Sequence, residues 1–173
     1  MSNPYFSIII PAHNAEKHIR KLLDSIASQT FRDYEVIVIC DSCTDNTEQV
    51  AKSYGFITDR VSFGRDGLSR DRGIELAHGQ WILFADDDDW YIDDLCLQYL
   101  HDCCMRNVES DMIAFGYIFR TKGYVVPAEN NILTPRIAHV WSSCWKRSTV
   151  GDARFGYATF SSDTYFLKAM RTK

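Results

Sequence analysis

Apolar positions along this chain come in blocks whose spacing changes from strand-like to helix-like and back. The run Tyr5–Ile10 is rich in β-branched residues and apolar on both faces, as a strand inside a parallel sheet is, and Pro11 is expected to end it. Ile19, Leu22, Leu23, Ile26 and Ala27 then recur at i, i+3, i+4, i+7 and i+8, one buried face of a helix, with Asn14 as its expected N-cap and Glu16 in its first turn. Tyr34–Cys40 repeats the buried-strand pattern, Asp41–Thr47 is a polar turn, and Glu48–Tyr54 is helical. A short strand Phe56–Asp59, a glycine-containing turn, a helix through Leu68–Ala77 and a strong strand Gln80–Ala85 continue the series. Such alternation predicts an α/β domain with a mostly parallel central sheet flanked by helices. Ile92–Met105 is expected to be a helix burying Ile92, Leu95, Cys96, Tyr99, Leu100 and Cys103. Met112–Phe119 returns to strand. Further on the pattern loosens: Lys122–Gly123 suggests a turn, Val125–Val126 a short strand, and Trp141–Arg147 a packed aromatic segment.

Composition changes this picture by exclusion. A chain of 173 residues without repeats or linkers fits one domain, and 46% hydrophobic with 24% charged residues excludes disorder. The net charge of −4 provides no general field for nucleic acid, so an anionic ligand needs a local device such as a metal. The longest apolar stretches, Ser7–Pro11, Val36–Cys40 and Trp81–Ala85, fall far short of the roughly 20 residues of a membrane span. Met1–Tyr5 lacks the basic head and apolar run of a secretory signal, so a cytoplasmic location is expected. Six cysteines are too few for a disulfide scaffold and suit small core positions. Cys40 and Cys43 have redox or zinc spacing, but no second pair answers them.

The most unusual chemistry is Asp86-Asp87-Asp88-Asp89, placed directly after an apolar strand. Neighbouring carboxylates repel, and Asp is a poor strand residue, so a compensating cation is expected. Strand ends of open α/β sheets face the ligand crevice, where carboxylates and substrate phosphates share a hard divalent cation. On an extended backbone Asp86 and Asp88 would share one face, which makes them the ligand candidates. Helix capping by Asp89 is the plainer explanation of the same cluster. Asp41, Pro11, His13 and Asn14 lie at neighbouring strand ends, where they could enclose a base and ribose; Asp41 and Asp45 could equally serve turns. His18, His101 and His139 show no partnering pattern and are treated as surface or satisfied polar residues.

Several ordered segments together resemble glycosyltransferase family 2: Tyr5–Lys17 (YFSIIIPAHNAEK), Ser25–Phe31 (SIASQTF), Tyr34–Thr47 (YEVIVICDSCTDNT), Gly67–Ile74 (GLSRDRGI) and Gly79–Trp90 (GQWILFADDDDW). The likeness is close over Tyr5–Asp94 and looser at Trp141–Arg147 and Phe155–Phe166. It implies the Rossmann-like GT-A fold, with residues 1–94 as the nucleotide-sugar-binding half and 95–173 as a less regular acceptor-side half. It further implies inverting transfer from a nucleotide-diphosphate sugar, a UDP-sugar being favoured, with Mn2+ or Mg2+. The acceptor would be a glycan or lipid-linked saccharide hydroxyl, in polysaccharide or glycoconjugate biosynthesis, in the cytoplasm or peripheral to the inner face of a membrane. By position, Asp41 would contact the nucleobase, Arg70 the nucleotide or diphosphate, Asp86 the ribose or metal and Asp88 the metal. Pro11, His13, Asn14 and Asp87 would complete the nucleotide-sugar site, His13 stacking on the base. Asp163 would be the catalytic base, with helix capping as its other reading.

Four positions depart from the family pattern: Cys40 and Ser42 replace an acid and a glycine, Asp71 an asparagine, and Ser162 the first of two acids. Asp71 is expected to pair with Arg70 or Arg72. Relatives usually carry more chain after the base, so this sequence is either a minimal catalytic domain or part of a longer one. A nucleotidyltransferase, a nucleotide-binding domain without turnover and a receiver-type signalling module are the alternative readings.

Overall fold

The computed structural model describes residues 3–119, 124–126 and 140–157, together with Asp163, Phe166 and Met170. The chain runs β1 (Phe6–Ala12), α1 (Ile19–Ala27), β2 (Tyr34–Asp41), α2 (Thr47–Ser53), β3 (Ile57–Val61), α3 (Asp66–Leu76) and β4 (Trp81–Phe84). It continues with α4 (Cys96–Arg106), β5 (Met112–Ala114), β6 (Tyr117–Phe119), β7 (Tyr124–Val126), β8 (Ser143–Lys146) and α5 (Arg147–Val150). A six-stranded sheet has the order β3-β2-β1-β4-β8-β5. Its first four strands are parallel, while β8 runs antiparallel to both β4 and β5. β6 and β7 form a separate antiparallel ribbon.

Side chains of the central strands alternate between two cores, as the pleat requires. Ile8, Ile10, Val36, Val38 and Leu83 face α1, α2 and α4 through Leu22, Leu23, Ile26, Val50, Leu97 and Leu100. Ile9, Ile37, Ile39, Ile82 and Phe84 face the opposite layer of Ile74, Val150, Phe155 and Phe166. Burial on both faces explains why these strands read as unbroken apolar runs.

Pro11 does not end β1. The strand continues to Ala12, with Pro11 opposite Ile39 on β2. On the other side, pairing with β4 stops at Ile9 opposite Phe84, and Ile9 O accepts from Ala85 N at 3.1 Å. Peptide groups two residues apart face the same neighbour, so the N–H that proline lacks would point where β4 has already left the ladder.

The start of α1 also differs from expectation. The helix begins at Ile19, and Asn14 sits in the left-handed region at φ 50°. Asn14 Oδ1 accepts from Thr44 N at 2.8 Å, and Glu16 Oε2 from Asn46 N at 3.1 Å. Ala15 N and Glu16 N donate to Thr47 Oγ1 and Asp45 Oδ2. These bonds stitch the β1–α1 loop to the β2–α2 loop and take the groups that an earlier helix start would use. Asp45 thus serves a turn, its pKa lowered by the donors it accepts from Thr47 and Glu16, which outweigh burial.

α4 starts at Cys96, four residues later than the pattern suggested, and buries Leu97, Leu100 and Cys104. Ile92 and Tyr99 of the expected stripe are 67% and 58% exposed. Both stripes are apolar, and long-range anchoring of Leu97 N on Gln29 Oε1 (2.8 Å) decides which one turns inward. Met112–Phe119 splits between β5 and β6, and Phe115 N donates to Ser142 O. Trp141–Arg147 becomes a 3-10 turn followed by β8. The turn expected at Lys122–Gly123, and His139, lie outside the described residues. All six cysteines are free thiols, and Cys40, Cys43, Cys104 and Cys144 are buried. Among the described residues no helix is long and apolar enough to cross a membrane.

Candidate active site

The carboxyl ends of β1, β2 and β4 open into a cleft of about 430 Å3, within the usual size range of small-molecule sites. Four walls meet there. Pro11, Ala12 and His13 come from the end of β1, Asp41 from β2, and Asp86, Asp87 and Asp88 from the segment after β4. The remaining wall is Gly64–Asp66, Ser69 and Arg70, at the start of α3.

Asp41 is 5% exposed and holds this last wall in place. Its Oδ1 accepts from Phe63 N (2.8 Å) and Gly64 N (3.0 Å), its Oδ2 from Arg65 N (3.0 Å) and Ser69 Oγ (3.0 Å). Burial raises its pKa, but these donors and Ser42 Oγ outweigh it and leave the carboxyl below its ordinary value. Its role is more than a local turn: it ties the end of β2 to the loop entering α3. Ser42 itself has φ 53°, the left-handed conformation a glycine adopts freely. Cys40 is fully buried, and burial pushes its thiol up to about 12.

The acidic run does not continue the strand. β4 stops at Phe84, and Asp89 N donates to Asp86 O at 3.1 Å, closing a turn. Asp86 Oδ1 meets Arg70 Nη2 at 2.6 Å, an ion pair whose guanidinium is nearly buried. Asp87 turns the other way, with Oδ1 3.2 Å from His18 Nε2 and Oδ2 accepting from His13 N at 3.4 Å. Asp88 lines the cleft with an exposed side chain. Burial raises the pKa of Asp86 against the pull of Arg70, and repulsion from Asp163 and Asp88 adds to it. Burial also raises Asp87, with His18 opposing. Asp89 is pushed up to about 6 by burial and by Asp86, Asp88 and Asp87. α4 begins well beyond Asp89, so capping does not explain the cluster.

Asp163 has helical backbone, which places it inside a turn and not before one, and its Oδ2 accepts from Val140 N at 3.1 Å. Its charge adds to the rise of the Asp86 carboxyl, though Asp163 is not among the residues lining the cleft. His13 Nδ1 lies 2.7 Å from Asp41 O, which fixes the ring at the mouth, while Asn14 is spent on the Thr44 loop. Asp71 pairs with neither Arg70 nor Arg72. It accepts from Phe155 N (2.7 Å) and Gly156 N (2.9 Å), and so fastens α3 to the segment that follows α5. Arg72 pairs instead with Asp59 and Glu75.

Sequence reasoning missed Arg65, Asp66 and Ser69 as lining residues, and His18 as a partner of Asp87. His101 is a satisfied core-edge residue, stacked on Phe31. Among the described residues no group of three or more His, Cys, Asp or Glu closes around a metal position. An exposed turn of hard oxygen ligands with crowded charge suits a cation that keeps waters and substrate oxygens, the habit of Mg2+ and of Mn2+ in octahedral oxygen sites.

The sequence profile of glycosyl transferase family 2 matches residues 7–138. The chain belongs to this family. EpsH of Bacillus subtilis, a glycosyltransferase by its name, is 31% identical over 122 residues, which are 68% of this chain and 35% of EpsH. The crystal structure of Staphylococcus aureus TarS residues 1–349 in complex with UDP-GlcNAc superposes with a TM-score of 0.81 at 26% identity. That match covers 96% of this chain and 53% of the other. The mannosyltransferase PcManGT of Pyrobaculum calidifontis, solved with GDP-Man and Mn2+, shares the fold at a TM-score of 0.64 and 15% identity, over 87% of this chain and 47% of its own. The fold is therefore GT-A. The chain spans about a third of EpsH and about half of the solved TarS chain.

Proposed function

We propose that this chain is the donor-binding and catalytic region of a metal-dependent, inverting glycosyltransferase that uses a nucleotide-diphosphate sugar, with a UDP-sugar favoured. The observation that carries the reading is the cleft itself, with the Asp41-anchored loop at one end and the Asp86–Asp88 turn and Arg70 at the other. TarS, similar over nearly the whole of this chain, is crystallised with UDP and with UDP-GlcNAc, which supports a UDP-sugar. TarS is named a poly(ribitol-phosphate) beta-N-acetylglucosaminyltransferase, which supports a polymeric acceptor.

In this reading the base and ribose lie between His13 and the Gly64–Asp66 loop, with Pro11 and Ala12 as floor. Arg70 and the start of α3 face the diphosphate, where positive charge and unpaired helix N–H groups favour an anion. Asp88 and Asp86 would hold Mn2+ or Mg2+, which would neutralise charge on the departing nucleoside diphosphate. Asp163 takes the proton from the acceptor hydroxyl as that oxygen attacks the anomeric carbon from the face opposite the leaving group, giving inversion. Free, mostly buried thiols suit a reducing compartment such as the cytoplasm.

Thermal-shift titration with UDP, with and without manganese, tests the site. Stabilisation is expected with both together, reaching about 2.7 kcal/mol at a hundredfold excess over the dissociation constant. Asp88→Asn should lose the manganese-dependent part. Asp163→Asn should keep it and lose roughly 10²- to 10⁴-fold in turnover, the usual range for general-base help. Unaltered manganese-dependent UDP affinity in Asp88→Asn would sink the assignment.

A further inference from the structure

The segment from Asp87 to Leu95 has no strand or helix of its own, yet it presents the acids of the cleft. What shapes it is α1 and the residues at its two ends. His18 Nε2 meets Asp87 Oδ1 at 3.2 Å. One turn on, Lys21 Nζ stands over the Trp90 ring at 2.9 Å from its centroid. Ser25 Oγ accepts from Tyr91 N at 3.1 Å. Gln29 Nε2 donates to Asp93 O at 2.6 Å, and its Oε1 accepts from Leu97 N at 2.8 Å. Thr30 then donates to Asp94 O through both N (2.8 Å) and Oγ1 (3.0 Å).

The partners advance in the same order on both sides. Steps of three and four residues align His18, Lys21 and Ser25 along one side of α1, with Gln29 just past its C-terminal end, and they meet positions 87, 90, 91 and then 93 and 97. This stripe lies between the buried apolar face of α1 and solvent, and sequence periodicity gave it no role. Gln29 is the strongest of the four. It is fully buried, and its amide both donates and accepts, so it can bridge a carbonyl and an N–H of the opposite segment.

We infer that Gln29 and Lys21 are positioning residues for the metal–diphosphate end of the cleft, acting through the 90–97 segment on the Asp86–Asp89 turn. Neither residue lines the cleft. The inference rests on the proposed donor site and deepens it. In Gln29→Glu the side chain keeps its shape and its acceptor for Leu97 N, but it loses both donors and sets an anion against the carbonyls of Ser25 and Asp93. Lys21 is exposed, so Lys21→Ala removes the contact with Trp90 at little risk to folding. Lys21→Arg can restore it, because a guanidinium also sits well over an indole ring.

The test separates the two ends of the cleft by calorimetry, with UDP and MnCl2 as the probes and thermal unfolding recorded in parallel. UDP affinity without metal reports the base end, built by β1, β2 and α3. The gain in UDP affinity on adding manganese reports the acidic turn. Expected is a loss of that gain by about tenfold in Gln29→Glu and about threefold in Lys21→Ala, recovery in Lys21→Arg, and metal-free affinity within about twofold of wild type throughout. A variant that lowers both affinities together, or lowers only the unfolding temperature, would make the stripe a general stabilising contact and overturn the inference. Wild-type protein with no manganese-dependent gain would overturn the donor-site reading, and the inference with it. A wild-type gain that survives in both variants would overturn the inference alone.

Discussion

At Asp41 three backbone N–H groups and two hydroxyls converge on one buried carboxylate. A carboxyl whose folded pKa is depressed adds stability above its unfolded value, near 4, and that contribution is lost as pH falls through the folded value. Asp41→Asn leaves donors facing an amide NH2, and a loss of about 1–3 kcal/mol at neutral pH is expected in urea unfolding. Because the variant no longer titrates there, its stability should fall less steeply than wild type between about pH 5 and pH 2. Asp89 presents the opposite case. It lies among three other carboxylates, and besides burial the repulsion of Asp86, Asp88 and Asp87 pushes it up to about 6. Asp89→Asn is expected to raise the unfolding temperature of metal-free protein at pH 7.5, and no rise would argue that the turn is already neutralised. The acids announced themselves in the sequence because four adjacent anions have no ordinary structural use. The partners of Asp41 did not, since backbone N–H groups from Phe63, Gly64 and Arg65 carry no side-chain signature and arrive from more than twenty residues away.

Among the elements, α3 lies against β1 through a glycine. A Cβ on Gly73 would run into the side chain of Ile9, so Gly73→Ala should lose about 1–3 kcal/mol as helix and sheet separate. Gly79 is tighter in kind, because a Cβ there would meet Ser7 N at 2.5 Å and backbone cannot swing aside. Gly79→Ala is expected to lose more than Gly73→Ala when the two are compared by chemical denaturation. The β-α-β alternation through Ala85 was legible because parallel strands buried on both faces are unbroken apolar runs, and because α1 has one clear stripe. Later elements were less so. α4 offers two apolar stripes, and the choice between them depends on Gln29, 68 residues from Leu97. Met112–Phe119 is one apolar run that the fold divides between two sheets, which no periodicity reveals.

For the whole molecule, the return of β8 to the sheet matters most. β4 is paired on one side with β1 and on the other with β8, and Phe84 packs its ring on Phe155 (5.2 Å) and Phe166 (5.8 Å). The first part of the chain is therefore not expected to fold alone: residues 1–94 by themselves should show no cooperative thermal transition in circular dichroism, whereas the full chain should. The ion pair of Arg70 with Asp86 carries a consequence for the order of assembly. In the proposed donor site Asp86 would serve a dication, and in the protein by itself the Arg70 guanidinium already holds that carboxylate. On that proposal manganese arriving alone would meet a rival, while manganese arriving with a diphosphate would find that rival a new companion. Each should then tighten the other by the same factor, as thermodynamic reciprocity demands. In Arg70→Met that mutual assistance should shrink, with manganese by itself binding more tightly than it does to wild type.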